Sequence, residues 1–456
     1  MRRLTILAAL FGALALAPAA QAVTFHDGNG LHVLSVKQVD PRLVALQVKT
    51  AALPDPANVY VLLPPGYEPS AARRYPVFYL LHGTSGTASD WTLKGAAEKV
   101  IGNRQLITVM PDIALNGGGG GWCSDWPNGA QRWETFHIRQ LIPWVDSNLN
   151  TVAARSGRAI AGLSQGGFCS LSYAARHPDL FSVALGYSGA PDIFYDPDAR
   201  AGAQTIINAT EVGLDHVAPN TFFGDPLTNG VNWAAHDPAT LAENLRSTQM
   251  YMYWGNGQPG PFDSPSSFLG GTGIESAVWQ DNNDFQRRLN ALRIPALFDD
   301  YGPGTHSWPY WTRDLGWSID KINSDFAHPE PNPAPFTYTS ADNTYSVYGW
   351  RVATQRTARE FSTLRAGRRS FALAGSGSAT VRTAPFYKPG TRYRITLSGD
   401  EVTTRSLIRR AGRSGRLTVK VPLGPPNPYQ QYTAQAQVAG THVYTTNVTI
   451  ARARRR

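Results

Sequence analysis

The stretch RAIAGLSQGGF, residues 158–168, decides the fold of this chain. It contains the chain's only G-x-S-x-G pentapeptide, Gly162–Gly166, between a β-like segment at Arg158–Ala161 and a helical pattern at Phe168–Arg176. A serine on a sharp turn from strand to helix, with glycines that allow close packing around it, is typical of a nucleophile elbow. A chance glycine-rich turn is the alternative. The flanking segments favour the elbow, with Ser164 as the nucleophile.

Strand and helix patterns alternate on both sides of this stretch. We predict strands at Leu31–Val36, Leu43–Val48, Val59–Leu63, Pro76–Leu81, Leu106–Met110, Thr248–Trp254 and Ala296–Asp300, and helices at Trp133–Leu149, Phe168–Arg176 and Asp281–Leu292. Such alternation is typical of a mostly parallel sheet with helices on both faces. Together with the elbow it predicts an α/β-hydrolase fold over residues 23–327. The glycine run Gly117–Gly121 is interpreted as a mobile loop of this domain.

The two ends of the chain follow other patterns. Residues 1–22 combine two arginines, an apolar run and an Ala-Gln-Ala site, and predict a cleaved secretory signal peptide. A membrane anchor is the alternative, but this apolar run is too short to span a bilayer and no later run is long enough, so we expect no transmembrane segment. Residues 328–335 contain four prolines and are interpreted as a stiff linker. Residues 336–456 predict a C-terminal all-β sandwich-like domain with an Arg-rich tail.

The net charge of +9 is unevenly distributed. Residues 23–330 hold 20 Lys and Arg against 29 Asp and Glu, whereas residues 331–456 hold 20 against four. Binding to nucleic acid is not expected, because no recognised motif accompanies the charge. We expect the basic domain to bind an anionic cell-envelope polymer, and a solvated basic face is the alternative. The two cysteines, Cys123 and Cys169, exclude a disulfide-rich scaffold, and the residues leave open whether they pair.

A serine nucleophile needs a histidine as general base and an acid that orients this histidine. In an α/β-hydrolase the acid and then the histidine follow the serine along the chain. His306 lies in a turn-rich loop directly after a predicted strand, where catalytic histidines of parallel sheets are found, and is the favoured base. Glu275 and Asp263 both follow the preceding strand and are the two candidates for the acid.

Two backbone N–H groups are expected to form an oxyanion hole. One belongs to Gln165, directly after the nucleophile, and the other to Thr84, in the loop after the predicted strand Pro76–Leu81. His82 in the same loop is interpreted as structural. No cofactor and no metal site are expected.

With these residues the chain resembles the secreted esterase family that includes the mycobacterial antigen 85 mycolyltransferases. The resemblance runs over roughly residues 40–320, through Trp122–Trp126, Trp133–Phe136, Gly162–Gly167, Tyr253–Gly257 and Gly304–Trp311. The family's triad is Ser, Glu and His, which implies Ser164, Glu275 and His306 here. The candidates for substrate binding are Trp308, Asp125 and Trp126.

The chain departs from the mycolyltransferases at three positions. They carry an acidic residue and an Arg beside the oxyanion loop, linked to binding of the sugar acceptor, where this chain has His82 and Ser85. They also place Met after the nucleophile, where this chain has Gln165.

These features predict a secreted enzyme that cleaves or transfers the acyl groups of carboxylic esters through an acyl-enzyme. The expected substrate is an ester or lipid, and transfer would need a sugar or glycerol acceptor. The alternative is a non-catalytic cell-wall-binding or adhesion protein on a hydrolase scaffold. The two functions differ in whether Ser164 reacts.

Overall fold

The computed structural model describes residues 23–453, so the predicted signal peptide and the last three residues of the tail lie outside it. The strands of this range are β1 (Leu31–Gln38), β2 (Leu43–Thr50), β3 (Ala57–Leu62), β4 (Val77–Leu81), β5 (Ile107–Pro111), β6 (Arg158–Leu163), β7 (Val183–Tyr187), β8 (Gln249–Trp254), β9 (Leu297–Asp300), β10 (Phe336–Ser340), β11 (Thr344–Val347), β12 (Trp350–Gln355), β13 (Ser362–Ala366), β14 (Ser370–Gly375), β15 (Ser378–Arg382), β16 (Arg392–Gly399), β17 (Val402–Arg410), β18 (Thr418–Pro422) and β19 (Tyr444–Arg452). The helices are α1 (Asp90–Leu93), α2 (Ala97–Ile101), α3 (Ile142–Asn148), α4 (Gln165–Arg176), α5 (Pro197–Gly213), α6 (Gly230–His236), α7 (Pro265–Leu292), α8 (Trp308–Ala327) and α9 (Ala434–Ala439). A π-helical segment, Thr135–Leu141, leads into α3.

The first nine strands form one sheet in the order β1-β2-β3-β5-β4-β6-β7-β8-β9. Along this order, neighbouring strands among β1, β2, β3 and β5 pair antiparallel. From β5 through β4 to β9, neighbouring strands pair parallel. Strands β4, β5, β6 and β7 are buried along their whole length, as continuous apolar runs must be when helices cover both faces of a sheet. This mostly parallel sheet with its helices is the α/β-hydrolase fold that the sequence predicts.

The long helix α7 corrects one expectation. The sequence predicted a helix only over Asp281–Leu292, whereas α7 begins at Pro265 and contains Glu275. Three glycines within residues 270–273 lower the helix propensity, and the sequence therefore did not predict the first half of α7. Gly271 packs closely at its position: a Cβ there would lie 3.0 Å from the backbone N of His306 and would require the His306 loop to shift. Close packing against the His306 loop therefore outweighs propensity.

The remaining ten strands form two antiparallel sheets. One has six strands in the order β10-β13-β14-β19-β16-β17, and the other has four in the order β11-β12-β15-β18. Apolar residues of both sheets share one core, which includes Trp350 and Val381 from the smaller sheet and Leu373 and Ile395 from the larger. The strands alternate buried and exposed residues, as expected where one face of each sheet is packed and the other is in water.

The β-sandwich packs directly on the hydrolase domain at the C-terminal end of α4. The hydroxyl of Tyr338 donates to the carbonyl of Arg176 at 2.6 Å, and the Arg176 guanidinium pairs with Asp342 at 3.3 Å. Asn244 donates to the carbonyl of Thr339 and accepts from its N–H. These buried polar contacts join the two domains by more than the connecting segment 328–335, whose role as a stiff linker stays a prediction.

Candidate active site

The predicted nucleophile lies at a strained turn between β6 and α4. Ser164 has φ 53° and ψ −123°, outside the regions that side chains other than glycine normally occupy. The turn is tight enough to require its glycines: a Cβ on Gly162 would lie 2.3 Å from the carbonyl carbon of Gly166, and one on Gly166 would lie 2.2 Å from the carbonyl oxygen of His82. The N–H of Gln165 is the first of α4 and has no acceptor within the helix.

The predicted oxyanion loop lies against this turn. A Cβ on Gly83 would lie 3.2 Å from Cβ of Ser164, so the backbone of the loop passes directly beside the nucleophile. Thr84 Oγ1 donates to Oε1 of Gln165 at 2.9 Å, which joins the two residues that were predicted to supply the N–H donors. Their assignment as an oxyanion hole stays a prediction.

Glu275 and His306 form a direct pair. His306 Nδ1 lies 2.6 Å from Oε2 of Glu275, and the Glu275 side chain is completely buried. The alternative acid, Asp263, instead accepts hydrogen bonds from Thr305 Oγ1 and the Tyr310 hydroxyl. Of the two candidates from the sequence, Glu275 is therefore the carboxylate on the imidazole.

A further pair of donors, missed from the sequence, holds Glu275 in place. Its other oxygen, Oε1, accepts hydrogen bonds of 2.8 Å from Ser188 Oγ and from the N–H of Gly255. Ser188 follows β7 with φ 48°, and Trp311 Nε1 donates to its hydroxyl at 3.2 Å. The only signal in the sequence was the run of small residues Ser188-Gly189-Ala190 after an unpredicted strand.

Aromatic side chains surround the histidine. The rings of His306 and Trp311 meet edge to face at 5.0 Å, and the partly exposed ring of Trp308 packs against both Trp311 and Trp91. Lys94 Nζ lies 5.9 Å from the centre of the Trp308 ring. Trp308 thus lies at the surface beside His306, and its predicted role in substrate binding remains a prediction.

The other two predicted substrate-binding residues make framework contacts. Both carboxylate oxygens of Asp125 accept from Thr135, one from its N–H at 2.9 Å and one from its hydroxyl at 2.6 Å. Trp126 is buried and packs on the ring of Phe222. These contacts account for both residues without a ligand, and a role in binding substrate stays untested.

His82 is a structural residue of the oxyanion loop. Its Nε2 accepts from the N–H of Ile113 at 2.9 Å, and its Nδ1 lies 2.7 Å from the carbonyl of Gly83, so Nδ1 carries the proton. Burial lowers the pKa of His82, against the raising effect of Asp112. The imidazole is therefore neutral and tied to the backbone on both sides.

The glycine run lies partly inside the protein. A Cβ on Gly120 would lie 2.7 Å from Nε2 of Gln165, so this backbone packs directly on the residue after the nucleophile. Cys123 and Cys169 form a disulfide, which links the loop to α4. The expectation of a mobile loop is therefore wrong for its second half, because burial and the disulfide hold it against α4.

An apolar cleft of about 210 Å³ adjoins these elements. Its walls belong to α5, α7 and the loops at Trp122 and Asp192. Most of its surface is apolar, with Ile206, Ile274 and Val278 among the contributors, and four carboxylates also line it: Asp192, Asp198, Asp281 and Asp284. The helix that carries Glu275 therefore also forms one wall of this cleft. Among residues 23–453, no group of three or more His, Cys, Asp or Glu residues is arranged to hold a metal ion, and no helix has the length and apolar character to cross a membrane.

The chain is similar to known esterases. The family model Esterase matches residues 50–318. Esterase Rv1288 of Mycobacterium tuberculosis (strain H37Rv) is 34% identical over 289 residues, which cover 61% of this chain and 59% of that protein. The diacylglycerol acyltransferase/mycolyltransferase Ag85B of Mycolicibacterium smegmatis is 30% identical over 253 residues, 52% of this chain and 73% of that protein. The chain thus spans about three fifths of the mycobacterial esterase. The crystal structure of Mycobacterium tuberculosis MPT51 matches with a TM-score of 0.49 at 23% identity, over 61% of this chain and 97% of that one.

Proposed function

We propose, from the premise that this chain belongs to the Esterase family, that it performs acyl chemistry through a Ser-Glu-His triad. The family supports hydrolysis of carboxylic esters or transfer of their acyl groups. The residues proposed to carry the chemistry are Ser164, His306 and Glu275. The observation that carries the proposal is the 2.6 Å contact between His306 Nδ1 and Glu275, in a fold that presents Ser164 on a strained elbow.

In the first step, Ser164 Oγ attacks the ester carbonyl and His306 Nε2 takes its proton. Because Nδ1 faces the Glu275 carboxylate and carries the ring proton, Nε2 is the nitrogen left to accept the serine proton. The buried carboxylate then stabilises the imidazolium that forms. The N–H groups of Gln165 and Thr84 stabilise the oxyanion, a contribution that is typically about 3 kcal/mol for one donor.

In the second step, His306 returns the proton to the leaving alcohol and an acyl-enzyme remains. Water or an acceptor alcohol then attacks the acyl carbonyl by the same route. Hydrolysis and transfer differ only in this last nucleophile. A sugar or glycerol is the proposed acceptor for transfer.

The proposed acyl donor is an ester with an apolar acyl group. The cleft at Ile206, Ile274 and Val278 has a mostly apolar surface beside its four aspartates, and it shares α7 with Glu275. An apolar chain placed there would bury surface worth about 25 cal/mol per Å². We also propose that the protein is secreted, on the signal-peptide pattern of residues 1–22.

The test uses the mature chain and two serine variants. Ser164→Ala should abolish turnover of a nitrophenyl ester and labelling by a fluorophosphonate probe, whereas Ser147→Ala, at an exposed serine in the last turn of α3, should leave both unchanged. Product analysis with and without sugar or glycerol then separates hydrolysis from transfer. If the wild type shows neither turnover nor a probe adduct, the proposed enzymatic activity is refuted and a non-catalytic wall-binding function is favoured.

A further inference from the structure

One groove of the C-terminal domain gathers five of the 20 Lys and Arg residues of residues 331–456. The groove has a volume of about 560 Å³ and lies between the edge strand β17 and the strands β15 and β18 of the smaller sheet. Five of its lining residues are basic, and the other three are small or hydroxylated. The lining consists of Arg382, Arg409, Arg410, Gly412, Ser414, Arg416, Thr418 and Lys420.

These cations have no carboxylate partners among residues 23–453. The four acidic residues of the domain are placed elsewhere. Asp342 and Glu360 are held near Arg176 and Arg356, and Asp400 and Glu401 lie in the turn between β16 and β17, at the far end of β17. The positive potential of the groove is therefore not compensated within the domain.

The backbone arranges the charges in rows. Arg382 lies opposite Arg351 on β12, so the basic surface extends from the groove onto that strand, and opposite Thr418 on β18. Arg416 is fixed by donating to the carbonyls of Thr383 and Gly349. Because Arg416 is already held, it loses less side-chain entropy when it binds an anion.

The lining also indicates the kind of anion. Guanidinium groups bind carboxylates and phosphates through two parallel hydrogen bonds, and the hydroxyls of Ser414 and Thr418 suit a hydroxylated ligand. Aromatic side chains, on which bases of single-stranded nucleic acid would stack, are absent from this lining. Apolar side chains that would enter a lipid layer are absent from it too.

We propose that this groove is a binding site for an anionic polysaccharide that carries carboxylates or phosphates. The hydrolase domain, with 29 acidic against 20 basic residues over residues 23–330, would be repelled by the same polymer. Binding through the groove therefore holds the polymer on the sandwich and leaves the acidic domain in solution. This inference does not depend on the acyl chemistry.

The test compares two variants of the mature chain that each lose three positive charges. The groove variant is Arg382→Gln, Arg409→Gln and Arg410→Gln. The matched control is Arg365→Gln, Arg369→Gln and Arg405→Gln, at exposed positions of the same domain outside the lining. Binding at 50 and 200 mM salt is measured to polygalacturonate, phosphorylated dextran, neutral dextran, a 20-base-pair DNA duplex and anionic phosphatidylglycerol vesicles.

We expect both charged polysaccharides, or the one with the preferred anion, to bind at least tenfold more tightly than neutral dextran. The groove variant should lose at least tenfold in affinity, and the control less than threefold. Equal loss in both variants would overturn the site, because net charge alone would then explain binding. Tighter binding to DNA or vesicles, or no binding to either polysaccharide, would overturn the ligand class. Unchanged nitrophenyl-ester turnover and melting temperature show that a variant is folded.

Discussion

The hydroxyl of Ser188 donates a 2.8 Å hydrogen bond to Oε1 of Glu275, the carboxylate oxygen that His306 does not use. The acid is therefore fixed from both sides. Ser188 comes from the loop after β7, whereas Glu275 comes from α7. The orientation of His306 thus depends on a residue that touches neither the nucleophile nor the imidazole in the proposed mechanism.

Ser188→Ala should lower kcat of ester hydrolysis by about 10- to 100-fold, since a hydrogen bond to a charged group contributes about 1.5–3 kcal/mol. KM should change little, because Ser188 positions the acid and does not contact substrate. Steady-state kinetics over a pH series measure this effect. Ser318→Ala removes another buried hydroxyl, which bonds to Tyr187, and should leave kcat within a factor of about 2. An equal loss of kcat in both variants would show a general packing effect.

Glu275→Gln tests which carboxylate supports the base. The amide can donate a hydrogen bond to Nδ1 and favour the wrong tautomer, so kcat should fall by about 10³- to 10⁴-fold. Asp263→Asn is the matched variant at the other candidate acid, which bonds to Thr305 and Tyr310. It should cost less than about tenfold, the effect of one perturbed hydrogen bond near the loop. The reverse order of the two losses would assign Asp263 as the acid.

The sequence predicts those candidate site residues that depend on local pattern. Ser164 was recognisable because strand, glycine turn and helix are adjacent in the chain, and His306 because it follows a strand directly. Glu275 and Asp263 could not be separated from the residues alone, since both follow β8 and the glycines hid α7. The family resemblance implied Glu275 as the acid, and the contact between Glu275 and His306 agrees with this assignment.

Features that depend on distant segments could not be predicted. Ser188 reaches Glu275 across 87 residues, and Cys123 reaches Cys169 across 46. In both cases the fold brings a loop residue to a helix residue, and neither local sequence carries a sign of the partner. The docking of the sandwich on α4 was missed for the same reason. The two residues in contact there, Arg176 and Tyr338, belong to different domains.

Glu134→Gln should destabilise the protein by about 3–5 kcal/mol, the usual cost of removing one partner of a buried ion pair. Glu134 accepts hydrogen bonds from Arg176 and His177 and lies near His236. The side chains of Glu134 and Arg176 are both nearly buried. Burial acts to raise the pKa of Glu134, but Arg176 and the histidines hold it well below its ordinary value. The carboxylate thus stabilises the fold above about pH 4.5, and this contribution is lost as the pH falls towards the lowered pKa.

Urea unfolding at pH 7 measures this loss of stability. The matched variant is Glu243→Gln, which breaks a surface pair with Arg246 and should cost no more than about 1 kcal/mol. Equal costs for the two variants would mean that the buried cluster contributes no more than a surface pair. Since Arg176 also pairs with Asp342, we expect the Glu134 variant to loosen the docking of the sandwich and to increase proteolysis within residues 328–335.

Asp281→Asn should stabilise the protein at alkaline pH and not at acid pH. Asp281 is 9% exposed and its Oδ1 has no hydrogen-bond partner in the described part of the chain. Burial raises the pKa of Asp281, and the nearby carboxyl of Asp192, whose own pKa is raised to about 7, raises it further. Asp237 and Asp196 act in the same direction.

The folded pKa of Asp281 thus lies above the unfolded value of about 3.9, so the wild type is progressively destabilised as the pH rises through the folded pKa. An uncharged amide removes this cost. At pH 8 we expect Asp281→Asn to raise the free energy of unfolding by about 1–3 kcal/mol, and at pH 4 the two proteins should agree within about 0.5 kcal/mol. Guanidinium unfolding at both pH values measures the difference, with Asp320→Asn at an exposed carboxylate as the control. A gain of equal size at both pH values would show that repacking, and not the charge of Asp281, sets the stability.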